Sequence, residues 1–164
     1  MEDAGDRGPR RRRPEISPAQ RALGLLTRRE HSRRELEHKL VARGVERPAA
    51  QAAVEKLAEA GWQNDARFAG SLARTRATAG YGPLYIQAEL AGHGLTRDAI
   101  ARALAELDAD WIAVAAKLLH RRAGDHQRDF ATSRKLTDKL LRRGFTGDQV
   151  RTAMRPQPNQ AAES

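Results

Sequence analysis

The chain has 164 residues, a formal net charge of +9 and no cysteine, which excludes disulfides and thiolate chemistry. No apolar run approaches the roughly 18 residues that a membrane span needs. No apolar segment follows the N-terminal arginines either, so we expect a cytoplasmic protein without a secretory signal or membrane contact. Ala, Leu, Arg and Glu dominate and no period-two alternation occurs, which predicts an all-α fold.

The predicted elements begin after a polar N-terminal segment. Residues 1–16 mix Gly, Pro, Arg and acidic residues without apolar periodicity, which predicts a disordered basic tail. Its "RRRR" run (10–13) is equally consistent with non-specific affinity for nucleic acid and with a solubilising role. Three helices are then predicted within residues 17–61, and Ser32 with Glu35 has the spacing of a capping box at the start of the second.

A second group of three helices is predicted within residues 62–107. Asn64 is placed to cap its first helix and Thr96 to cap its third. Between them, "GYGPLYI" (80–86) resembles a phosphate-binding glycine loop only superficially, because Pro83 removes a backbone donor. We interpret it as a turn with proline at the first helical position.

A third group is predicted within residues 108–154. Either Asp108 or Asp110 opens its first helix, and Thr146 begins a capping box at its last. The final residues, 155–164, are polar and proline-containing and are predicted to form a second disordered tail.

The three groups are copies of one repeat. Gly44, Gly94 and Gly144 lie fifty residues apart, and six columns agree around them. The columns are 36/86/136, 40/90/140, 44/94/144, 45/95/145, 50/100/150 and 54/104/154. Apolar pairs at i and i+4, a glycine helix stop and a following apolar residue predict helix, tight turn, helix in each copy. We therefore predict an elongated, curved array of three tandem three-helix repeats, about nine helices, in preference to one compact bundle.

No pattern in the sequence supports catalysis. The five histidines show no metal-ligand spacing, the carboxylates are scattered among basic residues, and no serine lies in a nucleophile motif. We predict a protein that is not an enzyme and that needs no metal or cofactor.

The positive charge is concentrated near the end of the chain. Residues 117–143 carry nine basic and three acidic groups, which is +6 of the total +9. This stretch is either an ordinary solvated face or an electrostatic contact surface for an acidic partner. The candidate partner- or DNA-facing residues are Arg33, Arg34, Arg43, Arg74, Arg76, Arg121, Arg122, Arg134, Lys135, Lys139, Arg142 and Arg143.

Two kinds of binding protein fit these features. One is a helix-turn-helix protein that reads DNA. However, the helix that follows each glycine is acidic in the first copy, charge-balanced in the second and short in the third, and the basic residues lie on the helix before the glycine. The other is a protein-binding array whose basic faces meet an acidic protein, or a protein assembled on nucleic acid. We favour the second.

Three segments resemble the RecX family of bacterial RecA regulators. They are "SRRELEHKLVARGV" (32–45), "GWQNDARFAGSLARTRATAGYGPLYIQAELAGHGL" (61–95) and "DFATSRKLTDKLLRRGFTGDQV" (129–150). The similarity runs in order from about residue 18 to 154. One departure is at Tyr85 and Gln87, where relatives usually carry basic residues, so a contact made there in relatives is not expected here.

The resemblance implies a non-enzymatic modulator in recombination, DNA repair and the SOS response. RecX-like proteins bind the RecA filament on single-stranded DNA and restrain its recombinase, ATPase and coprotease activities. We accordingly expect a monomer that binds RecA, with at most weak, non-specific and salt-dependent contact to nucleic acid. The added charge of Arg142 and Arg143 in the third copy is the first place where we expect partner contact.

Overall fold

The computed structural model describes residues 15–123 and 130–155, without the side chains of 122 and 123. Within this part the chain forms nine α-helices and no strand, as the sequence predicted. Their bounds are α1 Pro18–Leu26, α2 Arg33–Val41, α3 Arg47–Glu59, α4 Asp65–Thr78, α5 Pro83–Gly92, α6 Arg97–Leu107, α7 Trp111–Ala123, α8 Phe130–Arg142 and α9 Gly147–Met154. The two predicted tails fall outside the described residues except at 15, 16 and 155.

Side-chain caps fix most of the helix starts. The side chains of Asn64, Thr96 and Thr146 accept hydrogen bonds from backbone N–H groups at the starts of α4, α6 and α9. Thr146 also completes the predicted capping box with Gln149, and Pro83 occupies the first position of α5. Because each cap satisfies a donor that the helix itself leaves unpaired, these residues set where each helix begins.

Half of the capping box predicted at Ser32 is wrong. The Ser32 hydroxyl accepts from the backbone N–H of Glu35 at 3.1 Å, but no return bond from Glu35 is present. The Glu35 carboxylate turns instead to the guanidinium of Arg29 and lies 3.7 Å from Nζ of Lys39. Charge-assisted bonds of this kind are stronger than a bond to a neutral N–H, so the carboxylate follows the cations.

The start of the third group is at Asp110. Its carboxylate accepts from the backbone N–H of Ala113 at 2.9 Å. Asp108, the other candidate, ends α6 in the left-handed region with φ 47°. A short polar side chain tolerates that backbone conformation better than most.

The repeat glycines have the backbone that their role requires. Gly44, Gly94 and Gly144 have φ of 84°, 84° and 85°. The residue after each glycine donates its N–H five residues back, to Leu40, Leu90 and Leu140. This bond closes the helix end with a left-handed cap, in which glycine carries no steric penalty.

Each group of three helices encloses its own core. The buried residues fall into three separate clusters, and Leu40, Leu90 and Leu140 are buried at the centre of one cluster each. Trp111 packs against both the second and the third cluster. The helices also pack mainly within groups, α1 on α3, α4 on α6 and α7 on α9.

The fold is therefore a series of three-helix units and not one bundle around a common core. Below, units 1, 2 and 3 denote α1–α3, α4–α6 and α7–α9. The curvature of the array and the unit limits at 61/62 and 107/108 stay predictions. None of the helices within the described ranges is long and apolar enough to cross a bilayer.

Candidate interaction surface

Some of the candidate cations take part in contacts between the three units and are therefore less available to a partner. Unit 2 meets unit 1 where the α5–α6 turn lies on the start of α2. A hydrogen bond of 2.9 Å joins Nδ1 of His93 to the Ser32 hydroxyl. The His93 ring is tilted against Phe68, with 4.7 Å between ring centroids. We call this contact the first joint.

A polar network surrounds the first joint. The buried amide of Gln63 donates to the carbonyl of His31 at 3.2 Å and to the carboxylate of Asp65 at 2.8 Å. The same carboxylate oxygen accepts from the backbone N–H of Arg33 at 3.0 Å. Burial lowers the pKa of His31, although the Arg29 carbonyl and the Glu35 carboxylate favour its charged form. This joint is therefore held by hydrogen bonds between polar groups of the two units.

Unit 3 meets unit 2 through backbone hydrogen bonds, in what we call the second joint. The N–H groups of Gly82 and Leu84 donate to the carbonyls of Arg143 and Gly144, at 2.7 and 3.0 Å. A Cβ added to Gly144 would lie 2.3 Å from the backbone nitrogen of Tyr85. One added to Gly82 would lie 2.4 Å from the Gly144 carbonyl oxygen. Both glycines are needed for the two backbones to approach this closely.

The side chain of Arg143 belongs to the second joint. Its Nη1 donates to the carbonyl of Ala79 at 2.8 Å, and its guanidinium carbon lies 4.6 Å from the centroid of the Tyr81 ring. Tyr81 in turn stacks on Tyr85 at 4.3 Å. The guanidinium thus caps carbonyls at the end of α4 and rests on an aromatic face. Arg142, its neighbour in sequence, is exposed.

Two further candidates are neutralised within the chain. Arg76 makes a two-pronged bond to Glu89, with both N–O distances 2.6 Å. This bond lowers the pKa of Glu89 and raises that of Arg76. Arg33 pairs with Glu55 at 2.6 Å. A cation held in this way offers less attraction to a partner than a free one.

The other candidates differ in accessibility. Arg34 is exposed, but its Cδ would lie 3.6 Å from a Cβ on Gly94, at the edge of the first joint. The candidate Lys139 is partly buried and has interactions of its own. Lys39, a further basic residue on α2, is also partly buried. The Arg122 side chain lies outside the described residues. Besides Arg34, the exposed candidates are Arg43, Arg74, Arg121, Arg134, Lys135 and Arg142.

Three of the exposed candidate cations of unit 3 lie on α8. Arg134, Lys135 and Arg142 are separated by steps of seven and eight residues, which places them on one side of the helix. We call these three residues the α8 basic face. Behind it, a shallow cleft of about 500 Å³ between α8 and α9 is lined by Leu141, Val150 and Met154 among others.

The described residues offer no site for metal chemistry. No three His, Asp or Glu residues among them come close enough to hold an ion. The other cleft, about 220 Å³ and lined by Ala77, Val114 and Leu118 with Lys117 and Arg121, presents no acid, base or nucleophile grouping.

Family models match all three units in chain order. The first, second and third three-helix domains of RecX match residues 20–57, 64–104 and 108–154. The chain belongs to the RecX family. This confirms the family suggested by the sequence motifs.

Curated relatives of this RecX chain cover almost its whole length. "Regulatory protein RecX" of Stenotrophomonas maltophilia strain R551-3 is 55% identical over 162 residues, 97% of this chain and 99% of the relative. That of Xanthomonas campestris pv. campestris strain B100 is 56% identical over 146 residues, 88% and 90% of the two chains. The crystal structure of RecX from Lactobacillus salivarius superposes with a TM-score of 0.69 at 25% identity, covering 84% of this chain and 92% of that one.

The joints of this RecX chain were not found from its sequence. The repeat signal lies in apolar and glycine columns, whereas the joint side chains His93 and Arg143 lie in the column just before each glycine. In that column the second copy has histidine where the first and third have arginine. A column that is not shared by all copies gives no repeat signal. Gly82 gives no repeat signal either, since its counterparts in the other copies are Ser32 and Thr132.

Proposed function

We propose that the chain regulates RecA by binding the RecA filament on single-stranded DNA and restraining its recombinase, ATPase and coprotease activities. The observation that carries the proposal is the match of all three RecX domains, in order, over residues 20–154. The relatives that cover the chain are named regulatory proteins. The proposed role is regulatory and not catalytic, in the cytoplasm where RecA acts.

The distribution of exposed charge supports a protein partner carried on a polyanion. The α8 basic face provides three exposed cations on one side of a helix. Cations of this kind steer a protein toward a negatively charged assembly and add affinity that falls with salt. The array of separately cored units is suited to touching more than one subunit of a filament.

The helices that follow the glycines are poorly suited to reading DNA bases. The exposed side of α3 includes Glu55 and Glu59, and Glu55 is paired with Arg33. On α9, Asp148 pairs with Arg151. Carboxylates on these faces would approach the phosphates of a major groove and be repelled. This favours the protein-binding function over a helix-turn-helix reader.

The proposed mechanism is preferential binding to one filament state. A regulator changes an assembly only to the extent that it binds one state more tightly than another. A chain bridging two RecA subunits at one spacing would oppose the movements of ATP turnover and the addition of further subunits.

Co-sedimentation tests the proposal. RecA filaments on single-stranded DNA, and the same DNA alone, are pelleted with increasing amounts of the chain. We expect binding to filaments at concentrations at which bare DNA retains little of the chain. Equal retention by bare DNA would contradict the proposal.

The α8 basic face can be tested in the same assay. Arg134→Glu with Lys135→Glu should weaken filament binding and ATPase inhibition several-fold, because the reversed charges repel the assembly. The control is Arg97→Glu with Arg102→Glu, an identical charge change on α6. If both doubles weaken binding equally, net charge and not this face is responsible.

A further inference from the structure

The two joints follow one rule. In the first, His93 and Gly94 lie against Ser32 and Arg34. In the second, Arg143 and Gly144 lie against Gly82, Leu84 and Tyr85. The turn residues differ by fifty between the joints, and so do the residues that receive them. Each time, the glycine turn of one unit seats on the start of the second helix of the unit before it.

Unit 1 has the same turn, at Arg43 and Gly44. Gly44 has the same left-handed backbone, with φ 84°, and Arg43 is the residue type found in the second joint. Both are exposed, and no described atom lies within 4 Å of where a Gly44 Cβ would be. Among the described residues, no backbone N–H in a turn, loop or cap donates to the carbonyl of Arg43 or of Gly44. The turn has the backbone geometry of the two docked turns, and none of the described residues is docked on it.

A second copy of the chain does not offer a matching seat. The counterpart of Gly82 and Ser32 in unit 3 is Thr132, and that of Leu84 is Arg134. Helix α8 is helical from Phe130, so Arg134 lies past its first four residues, whereas Leu84 lies in the first turn of α5. The N–H of Arg134 is therefore used in the helix, four residues back, and cannot donate to a turn carbonyl. A partner of a different kind is needed.

We propose that the Arg43–Gly44 turn is a docking turn that receives the start of a helix from the protein partner. The carbonyls of Arg43 and Gly44 accept the unpaired N–H groups of that helix, as Arg143 and Gly144 accept those of Gly82 and Leu84. The Arg43 guanidinium donates to carbonyls of the partner segment just before the helix, as Arg143 does to Ala79.

The geometry also restricts the residue at the partner's helix start. In the second joint a Cβ on Gly82 would lie 2.4 Å from the turn carbonyl, whereas the looser first joint accommodates Ser32. The partner's N-cap residue is therefore small, glycine or serine. The phosphate groups of nucleic acid do not fit this turn, because they have no donors for its two carbonyls.

This inference rests on the proposed function, in which the partner is RecA in its filament. The test compares Gly44→Asn with Gly94→Asn in filament co-sedimentation. Asparagine tolerates the left-handed backbone, and neither site has an atom closer than 3.6 Å to a new Cβ. Both variants should therefore fold, which thermal unfolding followed by circular dichroism checks.

We expect Gly44→Asn to weaken filament binding at least tenfold, because its side chain fills the space that the partner helix would occupy. Gly94→Asn changes a turn already seated inside the chain and should bind like the wild type. Arg43→Glu, at a fully exposed position, provides a second variant and should also lose at least tenfold.

Several results would overturn the inference. Equal filament binding by Gly44→Asn, Arg43→Glu and wild type would refute it while leaving the proposed function intact. A wild-type chain that does not bind filaments would overturn both. A dimer of the wild-type chain in sedimentation velocity that Gly44→Asn abolishes would assign the turn to a second copy. Loss of bare-DNA binding in parallel with filament binding would assign it to nucleic acid.

Discussion

At the scale of single residues, neighbours in sequence have different roles. Arg142 and Arg143 form the most conspicuous basic pair of the third repeat, and nothing in the sequence distinguishes their roles. The structure divides them, since Arg142 is exposed while Arg143 contacts carbonyls and a tyrosine ring of unit 2. Reversing both charges at once would therefore confuse lost partner contact with a damaged joint.

Arg142 and Arg143 should differ in their contributions to the free energy of unfolding. Arg143→Ala should reduce the free energy of unfolding by about 1–3 kcal/mol, because it removes a charge-assisted hydrogen bond and a cation–π contact. Arg142→Ala should change it by less than about 0.5 kcal/mol, as is usual for an exposed site. Urea unfolding followed by circular dichroism measures both, and equal effects would contradict the assignment.

The ion pair between Arg76 and Glu89 should make the stability of the fold depend on pH in the acid range. Arg76 lowers the pKa of Glu89 below its ordinary 4.5, so the carboxylate binds protons more weakly in the folded state. Its contribution to stability is then complete above about pH 4.5 and is lost as pH falls through the lower folded pKa. Glu89→Gln should reduce stability at pH 7 and flatten the loss below pH 4.5. Urea unfolding from pH 7 to 3 measures this, and an unchanged acid limb would be evidence against the ion pair.

Protonation of His31 should also reduce the stability of the fold as pH falls, but beginning at a higher pH than for Glu89. Burial lowers the folded pKa of His31 below the ordinary 6.5, so the neutral ring is favoured in the folded state. Its contribution is complete above about pH 6.5 and is lost as pH falls below that value. The wild-type stability should therefore begin to decline before the carboxylates titrate.

At the scale of helices and turns, glycines with the same backbone differ in their surroundings. Gly44 and Gly144 have φ of 84° and 85°, so replacement by alanine costs both sites about 1–2 kcal/mol of backbone strain. Only at Gly144 does the new Cβ meet another backbone, at 2.3 Å. Gly144→Ala should therefore cost about 1–3 kcal/mol more than Gly44→Ala. Chemical denaturation of the two variants gives the difference, and equal losses would mean that the second joint relaxes easily.

Helix caps could be predicted from the sequence, whereas contacts between distant segments could not. Caps at Asn64, Thr96 and Thr146 and the glycine stops were predictable because each depends on residues within one turn of helix. The side chain of Glu35 was not, since its choice between Ser32 and Arg29 depends on the path of the preceding loop. The joints were not predicted either, because they bring together residues sixty or more positions apart, such as Ser32 and His93.

At the scale of the whole molecule, three cores joined by small contacts should not behave as one cooperative unit. Leu40 is fully buried in the core of unit 1, and truncation to alanine should destabilise that unit by about 2–5 kcal/mol. Because stability in such arrays is carried by each repeat and its neighbours, unit 3 should keep most of its protection. Hydrogen–deuterium exchange resolved by peptide tests this, and a uniform loss across the three units would indicate a single cooperative core.

The absence of a seat at Phe130 and the residues after it affects how several copies of the chain would bind along one filament, given the proposed function. Because α8 is already helical at Phe130, unit 3 offers no seat for a glycine turn. If the chain binds RecA filaments as we propose, molecules bound side by side gain nothing from each other through this contact. Occupancy should rise as for independent sites, with a Hill coefficient near one, and gaps between bound molecules should close only as the free concentration rises.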